Sequence, residues 1–291
     1  MLKHHQAPPV PPKRVVLLGA NGFVARAVIK YLVEKRTEVR AIGRNEINLV
    51  DDDAGKRLAD ELLPDDAIVF LSALTPDKGR GVGPFLDNVH MGAAVCAAIG
   101  AKTPAHIVYV SSDAVYPFGS VETNETSCTA PSDLYGAAHL AREIMLKTAA
   151  KCPFAILRPT LIYGPGDTHN SYGANRFRRM AHKEGRITLF GAGEEMRDHI
   201  FIDDIVSLID LTLQHRSAGV LNLVSGRSVS FADLARLVAR QFPSPIEIVS
   251  TPRQTPVIHR KFDATNVHRA FPAFRLTPLE QGLTAAHAAP D

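Results

Sequence analysis

The stretch RVVLLGANGFVA, residues 14–25, decides the fold class. Its first five residues form a short, β-branched apolar run that predicts a buried strand, and apolar residues at helical spacing follow from Phe23 to Val33. The turn between them carries Gly19 and Gly22, which permit a tight bend and a close approach of the backbone to a ligand. A glycine-rich turn that leaves a first strand and opens a helix is typical of a dinucleotide site, where the helix N-terminus meets the pyrophosphate.

Similar apolar runs predict further strands along the first half of the chain, at residues 38–42, 67–71, 106–110 and 154–158. Helical stretches separate these runs, and strands that alternate with helices indicate a Rossmann-type α/β fold with a doubly wound parallel sheet. Beyond Ile187 the alternation is lost, which indicates a smaller C-terminal α+β substrate lobe. The predicted organisation is a flexible tail over 1–12, a dinucleotide-binding domain over 13–164 plus about 195–213, and a substrate-binding lobe over about 165–194 and 214–291.

The composition is that of an ordinary folded protein, with 45% hydrophobic and 22% charged residues among 291. The 33 basic and 30 acidic residues are scattered, so no nucleic-acid partner is expected. The N-terminus carries no apolar run long enough for a signal peptide or a membrane span, so we expect no membrane partner. Three cysteines without a C-x-x-C pair indicate a reducing, cytoplasmic setting and no metal site.

The end of the second predicted strand bears on the choice of cofactor. NAD enzymes place an acidic residue there to accept from the ribose 2′-hydroxyl. This chain instead has Gly43 and Arg44, with no carboxylate before Glu46. Arg44 suits a 2′-phosphate, so the sequence favours NADP over NAD, although a solvated loop arginine would have the same sequence.

A hydroxyl pair suited to redox chemistry follows the fourth predicted strand. The segment YVSSDAVY, residues 109–116, leaves that strand, and YGAAH, residues 135–139, opens a later helix. Ligands of a parallel sheet bind outside the carboxyl ends of its strands, so Ser112 and Tyr135 are expected to converge there. A phenol beside a carbinol can give or take its proton while a neighbouring hydroxyl orients the oxygen.

These segments resemble the extended short-chain dehydrogenases/reductases, that is, the NAD-dependent epimerase/dehydratase family. So do LRPTLIYGPGD, residues 157–167, and LFGAGEEMRDHIFIDD, residues 189–204, and the resemblance runs from about residue 14 to about residue 280. It implies an NAD(P)-dependent enzyme that acts on a nucleotide-linked sugar. It also implies a homodimer that pairs through the helices at 86–99 and 135–150.

The resemblance also implies roles for individual residues. Ser112 matches the hydroxyl partner, Tyr135 the general acid/base, and Arg197 the residue that pairs with a nucleotide diphosphate. The implied catalytic residues are Ser112, Tyr135 and His139, and the implied substrate-binding residues are Ser112, Asn175 and Arg197. The cofactor-binding residues so implied are Gly19, Asn21, Gly22, Phe23, Val24, Arg44, Leu49, Leu71, Ser72, Ala73, Tyr135, His139, Pro159 and Ile162.

The chain departs from the family pattern at one catalytic position. The family's Tyr-x-x-x-Lys becomes Tyr135-x-x-x-His139, and the family's lysine binds the nicotinamide ribose and lowers the tyrosine pKa by its charge. His139 can donate the hydrogen bond, and in this interpretation its protonation governs the rate together with that of Tyr135. An alternative is a catalytically impaired NAD(P)-binding protein with a sensing or assembly role.

A second departure narrows the reaction. Dehydratases of the family resemble one another in placing an Asp-Glu pair after the catalytic hydroxyl, whereas here Asp113 is followed by Ala114. Sugar 4,6-dehydration is therefore disfavoured. Redox at a single carbinol remains, and it corresponds to a 4-epimerase or a 4-ketoreductase.

Overall fold

The computed structural model describes residues 2–119 and 121–289. Met1 of the predicted tail, Ser120 of the predicted dinucleotide domain, and Pro290 and Asp291 of the predicted lobe lie outside the described residues. The strands are β1 (Arg14–Leu18), β2 (Glu38–Ile42), β3 (Asp66–Phe70), β4 (His106–Val110), β5 (Glu122–Thr123), β6 (Phe154–Pro159), β7 (Leu161–Tyr163), β8 (Arg186–Phe190), β9 (Met196–Phe201), β10 (Gly219–Leu223), β11 (Ser228–Ser230), β12 (Glu247–Thr251) and β13 (Lys261–Phe262). The helices are α1 (Phe23–Glu34), α2 (Ala54–Glu61), α3 (Val82–Ala101), α4 (Leu134–Ala149), α5 (Ala174–Glu184), α6 (Ile202–Gln214), α7 (Phe231–Ala239), α8 (Thr265–Ala270) and α9 (Leu279–Ala288).

The core of the fold is a six-stranded parallel sheet in the order β10-β6-β4-β3-β1-β2. Side chains alternate across it, so Val15 and Leu17 enter one hydrophobic core while Val16 and Leu18 enter the other. Because both faces are covered, β1 is a continuous apolar run rather than an alternating one. The predicted Rossmann-type fold class is confirmed.

Helices cover the two faces of the sheet. α1 and α6 pack together on one face, and α2, α3 and α4 pack on the other. Among the described residues, one helix, α3, is long and apolar enough to span a membrane when judged by length and composition alone. In the structure it lies between α2 and α4, and its residues Val95 and Ala98 are fully buried.

The position of β10 differs from the predicted domain boundary. β10, placed in the lobe by the sequence, pairs with β6 as the edge strand of the main sheet. The return of the chain at 195–213 supplies β9, which pairs with β7 and β11 in a separate sheet, and then α6. The lobe proper has its own hydrophobic core, built from α5, α7, α9 and β8.

The N-terminal segment differs from the flexible tail that its prolines suggested. Lys3 forms an antiparallel bridge with Ala218. The ring of His4 stacks on His215 with centroids 4.4 Å apart, and its nitrogens lie 2.8 Å from the Ser217 Oγ and from the Ala270 carbonyl oxygen. Both ring nitrogens of His4 therefore have hydrogen-bond partners in the folded domain, which the composition of the segment does not reveal.

Candidate active site

Two joined cavities open at the carboxyl ends of the parallel strands. One, of about 260 Å³, lies beside the turn after β1. The other, of about 540 Å³, extends between the sheet and the lobe. Gly22, Leu71 and Ala73 line both, so the two form one continuous cleft.

Every site residue predicted from the sequence lies on the wall of this cleft, and the binding roles themselves remain predictions. The first cavity is lined by Gly19, Asn21, Gly22, Arg44, Leu49, Leu71, Ser72 and Ala73. The second is lined by Gly22, Phe23, Val24, Leu71, Ala73, Ser112, Tyr135, His139, Pro159, Ile162, Asn175 and Arg197.

The turn after β1 has the geometry that a dinucleotide needs. Gly19 has φ of +96°, and a Cβ there would lie 2.8 Å from the Ser72 backbone nitrogen, so only glycine fits without a shift. Gly22 precedes α1 and has no side chain with which to cap its first amides. Those amides and the helix dipole are therefore available to an anion, which fits a pyrophosphate.

At the end of β2, some charged groups pair with one another and one, Arg44, faces the cavity. Glu46 accepts from the Gly43 N–H at 2.7 Å and from Arg40 at 2.8 Å, and Arg40 also donates to Glu61 at 2.8 Å. The Gly43 amide first, and then Arg40, lower the pKa of Glu46. Arg44 lines the cavity and is exposed, without a hydrogen bond to any residue in the described ranges.

The start of α4 is pressed against the turn that carries Ser112. Asp133 caps the helix by accepting from the Gly136 N–H at 2.8 Å. A Cβ on Gly136 would lie 2.2 Å from the carbonyl oxygen of Ala114, so glycine allows this close contact. Tyr135 lies between Asp133 and Gly136 in the sequence. The close contact of Gly136 with Ala114 therefore holds the Tyr135 phenol beside Ser112.

Tyr135 is half-buried at the cleft wall, and burial raises the pKa of its phenol to about 12. A hydrogen bond from Ser112 and the charge of Arg142 act in the opposite direction, and the carboxylate of Asp113 adds to the rise. The free protein therefore holds Tyr135 as the neutral acid at neutral pH.

His139 lies where the sequence placed it, one helical turn after Tyr135, with their rings edge to face at 4.6 Å. Its Nδ1 lies 2.6 Å from the Tyr109 hydroxyl, and its buried Nε2 has no partner among residues 2–119 and 121–289. Burial, and then the charge of Arg142, hold the pKa of His139 well below its ordinary value. The imidazole is therefore neutral, and this corrects the expectation that its protonation helps to govern the rate.

The sequence reasoning missed the residues that surround this pair. Arg142, one turn beyond His139, is completely buried and donates to the Ser72 carbonyl at 2.6 Å. Next to it, Glu143 accepts from Arg158 at 2.5 Å and from Ser111 at 2.6 Å. The signal available in the sequence was an arginine on the helix face that also carries Tyr135 and His139.

Arg197 and Asn175 lie on the lobe side of the cleft. Arg197 lies over the Phe231 ring at 5.7 Å, donates to neighbouring carbonyls and approaches Glu195 at 3.9 Å. Burial lowers its pKa. Asn175 is buried, and its Oδ1 accepts from the Gly164 N–H at 3.1 Å. Arg197 therefore offers a cation to an anionic ligand. The Oδ1 of Asn175 is already occupied by the Gly164 N–H.

Asp113, the acid that follows Ser112, is not free. Arg260 donates to its Oδ2 at 2.6 Å and to the carbonyl oxygen of Tyr116 at 3.0 Å. Asp113 is therefore engaged by Arg260. The described ranges contain no group of three histidine, cysteine or acidic residues placed to hold a metal.

A sequence model of the NAD dependent epimerase/dehydratase family matches residues 15–224. The chain is 35% identical over 123 residues to a dTDP-L-rhamnose 4-epimerase of Burkholderia thailandensis, a match over 40% of this chain and 34% of that protein. It is 26% identical to an N-acetyl-alpha-D-glucosaminyl-diphospho-ditrans,octacis-undecaprenol 4-epimerase of Escherichia coli O157:H7, over 82% of this chain and 75% of the relative.

Two solved structures share the fold over nearly the whole chain. One is a UDP-N-acetylglucosamine 4-epimerase of Methanobrevibacter ruminantium in complex with UDP-N-acetylmuramic acid, with a TM-score of 0.83 at 20% identity, covering 96% of this chain and 98% of that one. The other is RMD of Pseudomonas aeruginosa in complex with NADPH, with a TM-score of 0.83 at 21% identity, covering 95% and 98%. At such identities the likeness concerns the fold alone.

Proposed function

The chain belongs to the NAD dependent epimerase/dehydratase family, and from that premise we propose that it is an NAD(P)-dependent oxidoreductase acting on a nucleotide-linked sugar. Within that class, the reaction is redox at one carbinol, as a 4-epimerase or a 4-ketoreductase. Tyr135 is the acid/base of this reaction.

One observation carries the proposal: a single cleft joins the dinucleotide turn to Tyr135 and then to Arg197. Ser112 and His139 line the same stretch of wall as Tyr135. A cofactor seated on the turn and an anionic group held by Arg197 would place a sugar between them, beside the phenol.

Bound NAD(P) would supply the acceptor or donor of hydride. The chain supplies the proton chemistry: Tyr135 takes the proton from the carbinol oxygen during oxidation and returns it during reduction. Ser112 would orient that oxygen, and His139, which lines the cleft beside Tyr135, would lie toward the ribose of the cofactor. The lobe closes one side of the cleft and limits the access of water.

Simple redox suits these residues better than dehydration. Dehydration at the neighbouring carbons needs a further acid and base, and Asp113 is held by Arg260 while Ala114 has no functional group. The two curated relatives described above are both 4-epimerases, which supports the same choice.

NADP is the preferred cofactor in this proposal. Arg44 stands open at the ribose end of the cleft, whereas the nearest carboxylate, Glu46, is engaged by Gly43 and Arg40. A 2′-phosphate would meet a cation there rather than an anion.

Turnover with a panel of UDP-, GDP-, dTDP- and ADP-linked sugars tests the proposal. With NADP or NAD present, we expect conversion of at least one sugar to its 4-epimer or 4-keto form, read by NMR. Tyr135→Phe is expected to lower that rate at least ~100-fold, the scale of general acid–base catalysis. Conversion by Tyr135→Phe at the parent rate would refute the assignment.

The neutral state of His139 favours a second candidate, an NAD(P)-binding protein without turnover. In that case the cleft still binds cofactor, but no sugar of the panel is converted. The same assay, run with a cofactor-binding titration, separates the two functions.

A further inference from the structure

Arg142 is a fully buried cation for which the described ranges provide no carboxylate partner. Its exposed fraction is 0%, and its acceptors are neutral: the Ser72 carbonyl at 2.6 Å and the Asn88 Oδ1 at 3.3 Å. The adjacent acid, Glu143, is held by Arg158 at 2.5 Å. A buried charge without a counterion is costly, so its presence indicates a use for the charge.

The fold makes room for this guanidinium. It lies over the Phe70 ring at 4.2 Å and the Tyr109 ring at 5.0 Å, which gives it two cation–π contacts. Opposite it, α3 carries Gly92, where a Cβ would lie 2.8 Å from the Cγ of Arg142. A side chain at residue 92 would therefore displace the arginine.

The guanidinium charge of Arg142 acts on groups of the candidate active site. Arg142 interacts electrostatically with Tyr109, Tyr135 and Cys96, and neutral His139 lies between the tyrosines. Tyr135 also faces the carboxylates of Asp113 and Asp133, which raise its pKa. Tyr135 and Arg142 are seven residues apart on α4, which places them on the same face of the helix. The charge of Arg142 opposes the rise that burial causes in the pKa of Tyr135.

We propose that Arg142 is the positioning residue that supplies fixed positive charge to Tyr135, and that His139 contributes a hydrogen bond without charge. This inference rests on the proposed role of Tyr135 as acid/base. Oxidation of the carbinol breaks its O–H and C–H bonds, so the proton passes to the Tyr135 phenolate and the hydride to bound NAD(P)⁺. Arg142 stabilises the phenolate that must exist before this transfer.

The test compares neutral and charged replacements at residue 142. Arg142→Gln keeps a donor for the Ser72 carbonyl without charge, Arg142→Met removes both, and Arg142→Lys keeps the charge. In the neutral variants we expect the rising limb of log kcat to shift by about one unit toward higher pH. The shift corresponds to a roughly 10-fold loss of kcat at pH 7, and the loss shrinks as pH rises. Arg142→Lys is expected to return the limb toward its parent position.

A purely structural role gives a different profile. If Arg142 only tethers α4 to the loop at Ser72, the neutral variants bind cofactor more weakly or lose rate equally at every pH, and the limb stays in place. That result would overturn the inference.

A second measurement does not depend on turnover. In protein labelled with ¹³C-tyrosine, the Cζ resonance of Tyr135 is identified by its absence from Tyr135→Phe and followed against pH without cofactor. We expect ionisation to begin at higher pH in Arg142→Gln and Arg142→Met than in the parent. Unchanged titration in either folded neutral variant overturns the inference, whereas a parent without turnover but with this shift overturns only the proposed function.

Discussion

His139 lies between two phenols, and its contacts decide what it can offer. Tyr109 is buried, burial raises the pKa of its phenol, and its hydroxyl lies 2.6 Å from the Nδ1 of His139. If Tyr109 donates to Nδ1, the ring proton resides on Nε2, the nitrogen without a partner in the described ranges. His139 is then a neutral donor at the cleft, so the pH profile of activity should report Tyr135 alone.

At the same scale, Arg44 is expected to select the cofactor. Arg44→Ala should weaken NADP affinity by about 10-fold, the scale of one charge-assisted contact, and leave NAD affinity nearly unchanged. Fluorescence titration of both cofactors checks this outcome.

Lys56→Ala is the matched control for Arg44→Ala, since it removes an exposed cation from α2 that does not line the cleft. It should leave both affinities at parent values. A parent that binds NAD more tightly than NADP would contradict the proposed preference.

At the scale of elements, Gly92 of α3 allows a close approach to Arg142 of α4. Replacing glycine by alanine inside a helix ordinarily stabilises it by about 1 kcal/mol. At Gly92 the added Cβ would meet Arg142 at 2.8 Å, so Gly92→Ala is expected to lower the free energy of unfolding instead, measured by urea titration.

Gly100→Ala is the control for Gly92→Ala, because it lies in the same helix and a Cβ there meets nothing within 4 Å. It should stabilise the protein by up to about 1 kcal/mol. Equal stabilisation by both substitutions would show that Arg142 is not packed against Gly92 as described.

Strands β1, β3 and β4 could be predicted from the sequence, because they are buried on both faces and read as largely apolar runs. β10 was assigned to the wrong unit, since pairing with β6 is a long-range contact that a five-residue run does not reveal. The site residues at strand ends were predicted from the resemblance and from the rule that ligands bind at the carboxyl ends of parallel strands, and their roles remain predictions. Arg142 was not, because its burial depends on Gly92 of another helix.

At the scale of the whole molecule, we propose that two copies pair through α3 and α4. Large apolar side chains remain exposed there: Leu86 is 45% exposed and Ile144 is 59% exposed. Exposed apolar side chains on two adjacent helices suit a symmetric interface.

The double variant Leu86→Glu, Ile144→Glu should therefore convert a dimer to a monomer in light scattering at micromolar concentration. Val33→Glu, at an exposed position of α1, is the control and should leave the mass unchanged. A parent that is strictly monomeric under these conditions would contradict the proposed dimer.

The central claim is that hydride leaves a sugar carbinol while Tyr135 takes its proton. The most direct measurement mixes protein loaded with NADP⁺ or NAD⁺ with a converted nucleotide sugar, protiated or deuterated at C4, and follows reduced cofactor at 340 nm in a single turnover. The account predicts that reduced cofactor appears, more slowly with deuterium at C4, and at least ~100-fold more slowly in Tyr135→Phe. Sugar conversion without reduced cofactor or an isotope effect, or an unaltered rate in Tyr135→Phe, would contradict it.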